Sequence, residues 1–174
     1  MKAKTFFDTI ANRRSDILQI FLDILKKTSA DYCVVGGLAV NAYVEPVVSL
    51  DLDVVVNVQE LEKVWREAIK IGFRAEKFKH SVNLTRSGSD LRIQLQTDAR
   101  YQDFIARAKP KKILGYTMKV AALEDVLLGK SWAYLDEERR RSKRQKDLAD
   151  IIRLLEAYPE LEDKVATAIR TKLQ

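Results

Sequence analysis

Two aspartates one residue apart, Asp51 and Asp53, are the clearest chemical signal in the chain. They sit in the run Ser49-Leu50-Asp51-Leu52-Asp53-Val54-Val55-Val56, whose alternating start and β-branched end predict a strand. Side chains two apart in a strand share a face, so Asp51 and Asp53 project together with Ser49, while Leu50, Leu52 and Val54 turn toward a core. Neighbouring carboxylates repel, and a shared cation relieves that repulsion. A hard ion such as Mg²⁺ (or Mn²⁺), held by one or two carboxylates and completed by a substrate's phosphates, meets the need. Upstream, Gly36-Gly37 separates a short apolar run from a helical one, a place where bare backbone N–H groups can approach a phosphate. Each feature alone has a plainer reading, Gly-Gly as a turn and Asp-x-Asp as a solvated strand edge. Their order along the chain is what makes them specific.

The elements needed to hold these residues are legible from periodicity. Residues 15–28 carry apolar positions at spacings of three and four and predict a helix with Ser15 as its N-cap. Residues 32–35 predict a strand and 38–44 a short helix, closed by Glu45-Pro46 because the residue before a proline avoids the α region. Residues 50–57 predict the aspartate strand and 58–72 a helix with Gly72 as its stop. Strands are expected at 73–78, 80–86 and 91–96, the last two joined by the turn Ser87-Gly88-Ser89-Asp90. A helix at 101–108, a strand at 117–120 and a helix at 123–134 follow. From Asp136 to Gln174 the period is helical, with Pro159 dividing two helices. The expected class is α/β, of the α+β type. A mixed sheet core spans 1–120, including the N-terminal helix, and a helical segment at 121–174 packs on it.

Composition narrows the chemistry. The chain has 174 residues, 47% hydrophobic and 32% charged, which suits one globular domain. Lys and Arg number 31 against 25 acidic residues, a net +6 that permits a polyanionic partner without requiring one. A single cysteine, Cys33, excludes an internal disulfide and points to a reducing, cytoplasmic setting. A single histidine, His80, disfavours zinc sites and a Ser–His triad. No signal peptide and no membrane span is expected, hence no membrane partner.

The segment GGLAVNAYVEPVVSLDLDVVV resembles the signature of the nucleotidyltransferase superfamily, and the match is nearer to the AbiEii/MenT-like branch of bacterial toxin–antitoxin systems. A second block, VAALEDVLLGKSWAYLDEERRRSKRQKDLADIIRLLE, is similar to that branch's later segment, so the resemblance spans Tyr32 to Glu156. It implies a nucleotidyltransferase-like mixed sheet flanked by helices. By position it assigns Gly36, Gly37 and Ser49 to a nucleotide-phosphate cradle, Asp51 and Asp53 to the metal, and Lys130 to phosphate binding, with Asp51, Asp53 and Lys130 as the catalytic set. The implied activity is Mg²⁺-dependent transfer of a nucleoside monophosphate from an NTP to a hydroxyl on RNA (tRNA) or protein, with pyrophosphate released. A cognate antitoxin is an implied partner.

One departure matters. The superfamily usually places a third carboxylate on a neighbouring strand, and here that strand reads Leu91-Arg92-Ile93-Gln94-Leu95-Gln96, with Gln94 or Gln96 at the expected position. A glutamine carbonyl can ligate a metal but cannot take a proton. Gln94 therefore also supports an alternative, a degenerate domain that binds a nucleotide or a partner without catalysis. Lys146, Asp147 and Asp150 fit either chemistry or ordinary helical pairing of Lys143 with Asp147 and Lys146 with Asp150. The basic run at 139–144 suits a phosphate backbone or a solvated helix face, and without interleaved aromatics it does not indicate a stacking platform.

Overall fold

The alternation at Asp51–Val56 places that strand in the interior of a seven-stranded sheet, seen in a computed structural model that describes residues 16–173. The strands are β1 (Tyr32–Val35), β2 (Asp51–Val56), β3 (Arg74–Lys77), β4 (Ser81–Thr85), β5 (Arg92–Gln96), β6 (Lys109–Ile113) and β7 (Tyr116–Val120). Their order is β3-β4-β5-β2-β1-β7-β6. β2 pairs antiparallel with β1 and parallel with β5, and β1 pairs parallel with β7, so the sheet is mixed as expected. Leu52 and Val54–Val56 are buried while Asp51 and Asp53 stay half-buried, which is the division of faces that their spacing predicts.

Helices pack around this sheet: α1 (Ile17–Thr28), α2 (Gly36–Val40), α3 (Leu61–Lys70), the single turn α4 (Phe104–Arg107), α5 (Leu123–Leu135), α6 (Arg141–Ala157) and the short α7 (Thr167–Arg170). α1 buries Ile17, Leu18, Phe21, Ile24, Leu25 and Thr28, one continuous helical face. Its N-cap is Asp16, which accepts from the Gln19 N–H at 3.0 Å; Ser15, the expected cap, lies outside the described residues. One apolar cluster runs from α1 through β1, β2, β5 and β7 to Ile151 and Leu154 of α6 and Ile169 of α7.

Four expectations are corrected. The helix expected at 38–44 begins at Gly36 and stops at Val40, because the Asn41 side chain bonds both backbone groups of Val47 and turns the chain. In place of a helix at 101–108, a 3-10 turn (Ala99–Tyr101) capped by Asp98 precedes the one-turn α4. Strand β6 was not expected, since Lys-Pro-Lys-Lys-Ile shows no alternation. At the sheet edge, lysines and a proline that lacks an N–H are what an unpaired border tolerates. The helical end starts only at Arg141, after an Asp136 turn in which the carboxylate accepts from the Glu138 N–H, and Pro159 opens a 3-10 stretch (Pro159–Lys164) instead of a second long helix.

Candidate active site

The crossing of β1 into α2 brings Gly36 against the aspartate strand. Gly36 has φ +68, and a Cβ built on it would lie 2.1 Å from Asp53 Oδ2, so both backbone and space demand glycine. Gly37 is less constrained, its nearest neighbour being Ser49 Oγ at 3.5 Å. Ser49 is buried and donates to the Asp51 carbonyl at 3.3 Å. These residues line one cleft of about 670 Å³, whose walls also carry Arg92, Gln94, Lys130, Arg139, Lys143 and Asp147. Gly36, Gly37, Ser49, Asp51, Asp53, Gln94 and Lys130 therefore line a common space, which Asp150 does not.

The two aspartates differ in their surroundings. Asp51 is engaged by protein cations: Arg92 donates to Oδ1 through Nε at 3.0 Å and Nη2 at 2.7 Å, and Lys143 Nζ lies 3.6 Å from Oδ2. Among the described residues, none hydrogen-bonds to the Asp53 carboxylate. Burial pushes its pKa up from 3.8 to about 6, Lys130 pulls against that, and Asp51 adds to it. An oxygen-only pair with an unpartnered carboxylate, beside the Ser49 hydroxyl and the Gln94 amide, fits a hard divalent ion whose remaining positions are filled by phosphate and water. No cluster of three or more His, Cys, Asp or Glu able to hold a metal occurs among the described residues, so such an ion would rest on two carboxylates.

Gln94 stands directly across from Asp53 in the parallel β2–β5 register, as Arg92 stands across from Asp51. The position expected to carry a third acid is thus adjacent to the pair and occupied by an amide. Asn83 pairs with Gln94 on the far side, and its buried Oδ1 has no hydrogen-bond partner. Arg92 was missed in the sequence, although it shares the parity of Gln94 and the same reasoning about strand faces would have found it.

Lys130 lies where α5 meets α6 and is only 7% exposed. Its Nζ is 2.9 Å from Asp147 Oδ1 and 2.7 Å from Asp150 Oδ2. Burial alone would lower its pKa, yet the two carboxylates outweigh burial and raise it. Asp147 also accepts from Arg139 Nε at 2.7 Å, and Asp150 pairs with Arg153 at 2.8 Å. Arg153 in turn reaches the Glu45 carbonyl and Asn41 Oδ1, tying the charge network to the loop that delivers Ser49. The expected pairing of Lys143 with Asp147 and Lys146 with Asp150 is replaced: tertiary partners take both aspartates, and Lys143 turns to Asp51. Arg139, Arg140 and Lys143 of the basic run line the cleft, as does Lys146 beyond it, whereas Arg144 donates to the Tyr134 carbonyl. Cys33 is a buried strand residue whose thiol is pushed up to about 12, chiefly by burial.

A family profile described as nucleotidyl transferase AbiEii toxin, type IV TA system, matches residues 27–174. The chain belongs to the AbiEii family. Solved structures agree with the fold. The antibiotic-resistance factor ANT(2″)-Ia superposes with a TM-score of 0.66 at 12% identity, over 90% of this chain and 90% of that one. The lincosamide antibiotic adenylyltransferase LnuA, solved with lincomycin bound, gives 0.57 at 13% identity over 82% and 99%. An antigenic nucleotidyltransferase-like protein from Paracoccidioides brasiliensis gives 0.55 at 18% identity over 99% and 85%. No curated protein matches the AbiEii-family chain significantly in sequence. Nucleotidyltransferases generally use a divalent metal, in line with the oxygen donors that Asp51 and Asp53 present. No helix among the described residues is long and apolar enough to cross a membrane.

Proposed function

We propose that this AbiEii-family chain binds a Mg²⁺–NTP in the cleft and transfers a nucleoside monophosphate to a hydroxyl of RNA (tRNA) or protein, releasing pyrophosphate. The observation that carries the reading is the pairing of Asp51 and Asp53 on one face of β2, with Gly36 pressed against Asp53 and Gln94 beside it. Asp51 and Asp53 would hold the ion, which neutralises the triphosphate and orients its α-phosphorus when bound. Gly36, Gly37 and Ser49 would cradle the phosphates. Lys130, fixed by Asp147 and Asp150, lends positive charge to the same region, and Lys143 and Arg92 add theirs. Substrate alignment for in-line attack is the main contribution of such a cradle. Arg140 and Lys146 on the rim suit a phosphate backbone approaching from outside, and an antitoxin encoded as a partner is part of the same reading.

A second reading has its own observation. The position across from Asp53 carries Gln94, an amide that cannot take a proton, and Arg92 and Lys143 already engage Asp51. A nucleotide- or partner-binding domain without catalysis would look the same. Calorimetric titration of Mg²⁺–NTP into wild type, Asp51→Asn and Asp53→Asn tests what the two readings share, the metal-dependent nucleotide site. Binding by the wild type and loss in both variants is expected; equal binding by all three would refute the assignment.

A further inference from the structure

Beyond Gln94 and Gln96 on the cleft side of β5, the chain reaches Asp98 and a stack of flat groups that neither the metal site nor the phosphate cradle uses. The Phe104 and Trp132 rings stack with centroids 5.6 Å apart and planes 15° apart. The Arg100 guanidinium carbon lies over the Trp132 ring, 4.8 Å from its centroid. Tyr101 braces both rings edge-on at 5.3 Å. Asp98 pins the guanidinium: its carboxylate caps the 3-10 turn by accepting the Arg100 N–H at 3.0 Å, and it accepts from Arg100 Nη2 at 2.7 Å and from Nε at 3.0 and 3.2 Å. The Arg100 side chain is nevertheless 59% exposed, and Asp98, Arg100, Tyr101 and Trp132 all line the cleft that holds Asp51 and Asp53.

We propose that this Phe104–Trp132–Arg100 cluster is a nucleobase subsite, the base stacking on the exposed guanidinium of Arg100. The inference rests on the nucleotidyl-transfer reading above. Guanidinium planes stack on bases as aromatic rings do, and a lysine at the same place offers charge without a plane. Because Asp98 and Trp132 already hold Arg100 in one orientation, little side-chain freedom is left to lose when a base docks. Gln96, Ser81 and His80 on the adjoining wall supply donors and acceptors for a base edge. The base belongs to the NTP or to an RNA acceptor; the chemistry of the subsite is the same for both.

The test compares wild type, Arg100→Ala and Arg100→Lys for binding of Mg²⁺–NTPs, of Mg²⁺–tripolyphosphate, which has no base, and of a single-stranded RNA oligonucleotide. Losing a stacking contact weakens a base by about tenfold or more. If the donor base stacks, both variants lose about that factor for NTP and nothing for tripolyphosphate. If the acceptor base stacks, both lose it for RNA alone. Restored affinity in Arg100→Lys would reduce the role to charge, and unchanged binding of NTP and RNA in both variants would make the stack purely structural; each result overturns the proposal. Wild-type protein that binds neither NTP nor tripolyphosphate would refute the nucleotidyl-transfer reading instead, and the RNA titration would still decide the subsite. A Trp65→Phe background leaves Trp132 as the sole tryptophan, and its emission should change on base binding but not on tripolyphosphate binding.

Discussion

Replacing Asp53 by Asn should stabilise the metal-free protein at neutral pH, although it removes a residue at the centre of the site. Burial, together with Asp51, raises the Asp53 pKa from 3.8 to about 6 against the pull of Lys130 and the nearby arginines. A folded-state value above the unfolded one means that the native state prefers the protonated form. That preference contributes fully below about pH 3.8 and is lost as pH rises through about 6. The displacement corresponds to at most about 3 kcal/mol at pH 7.5. Asn is neutral at every pH and resembles protonated Asp in size, so Asp53→Asn should match wild type near pH 4 and exceed it above pH 7 by about 1–3 kcal/mol. For a chain of this length that is a rise in Tm of roughly 2–10 °C. Thermal melts from pH 4 to 8, with and without Mg²⁺, read the effect directly, and added Mg²⁺ should stabilise wild type while leaving Asp53→Asn unmoved. A variant less stable than wild type at pH 7.5, or a difference that does not change with pH, would refute the account of a charged, unpartnered carboxylate.

Gly36→Ala should cost about 2 kcal/mol or more and abolish Mg²⁺-dependent NTP binding, since it combines a left-handed φ with a Cβ driven into Asp53; melting and calorimetry check both halves. Lys130→Ala removes the shared partner of two buried carboxylates and should destabilise by roughly 3 kcal/mol, measured by urea unfolding; a neutral effect would mean that the ion pairs at 2.9 and 2.7 Å carry no stability. Gln94→Asp should lower the melting temperature without metal and enlarge its rise on adding Mg²⁺, because a third carboxylate then crowds Asp53; an unaltered metal response would place Gln94 outside the site.

Strand β2 and its division of faces were legible because a period of two is a local signal, and Asp51, Asp53 and Ser49 fall into place from spacing alone. The sheet's mixed character followed from the same elements. Strand β6 was hidden, since an edge strand needs no apolar alternation and Pro110 argues against it locally. The ion pairs of Lys130 were equally hidden: residues three and four apart suggest helical neighbours, whereas burial at the α5–α6 contact selects partners seventeen residues or more away. Arg100 and Trp132 are separated in sequence by β6 and β7, so nothing local joins them into a cluster. Gln94 is the instructive case, because its place beside Asp53 came from the family resemblance, the β2–β5 pairing being a non-local contact that spacing does not show.

The central claim is tested most directly by incubating the protein with α-labelled NTPs and Mg²⁺ or Mn²⁺, with total tRNA and without it, while measuring pyrophosphate. Nucleotidyl transfer predicts label fixed in tRNA, or in the protein in its absence, one pyrophosphate per nucleotide transferred, and no label with Asp51→Asn or Asp53→Asn. Label transferred equally by those variants would contradict the assignment of the carboxylate pair. NTP bound in a metal-dependent way but never cleaved, with any acceptor, would contradict catalysis and leave the binding domain as the correct account.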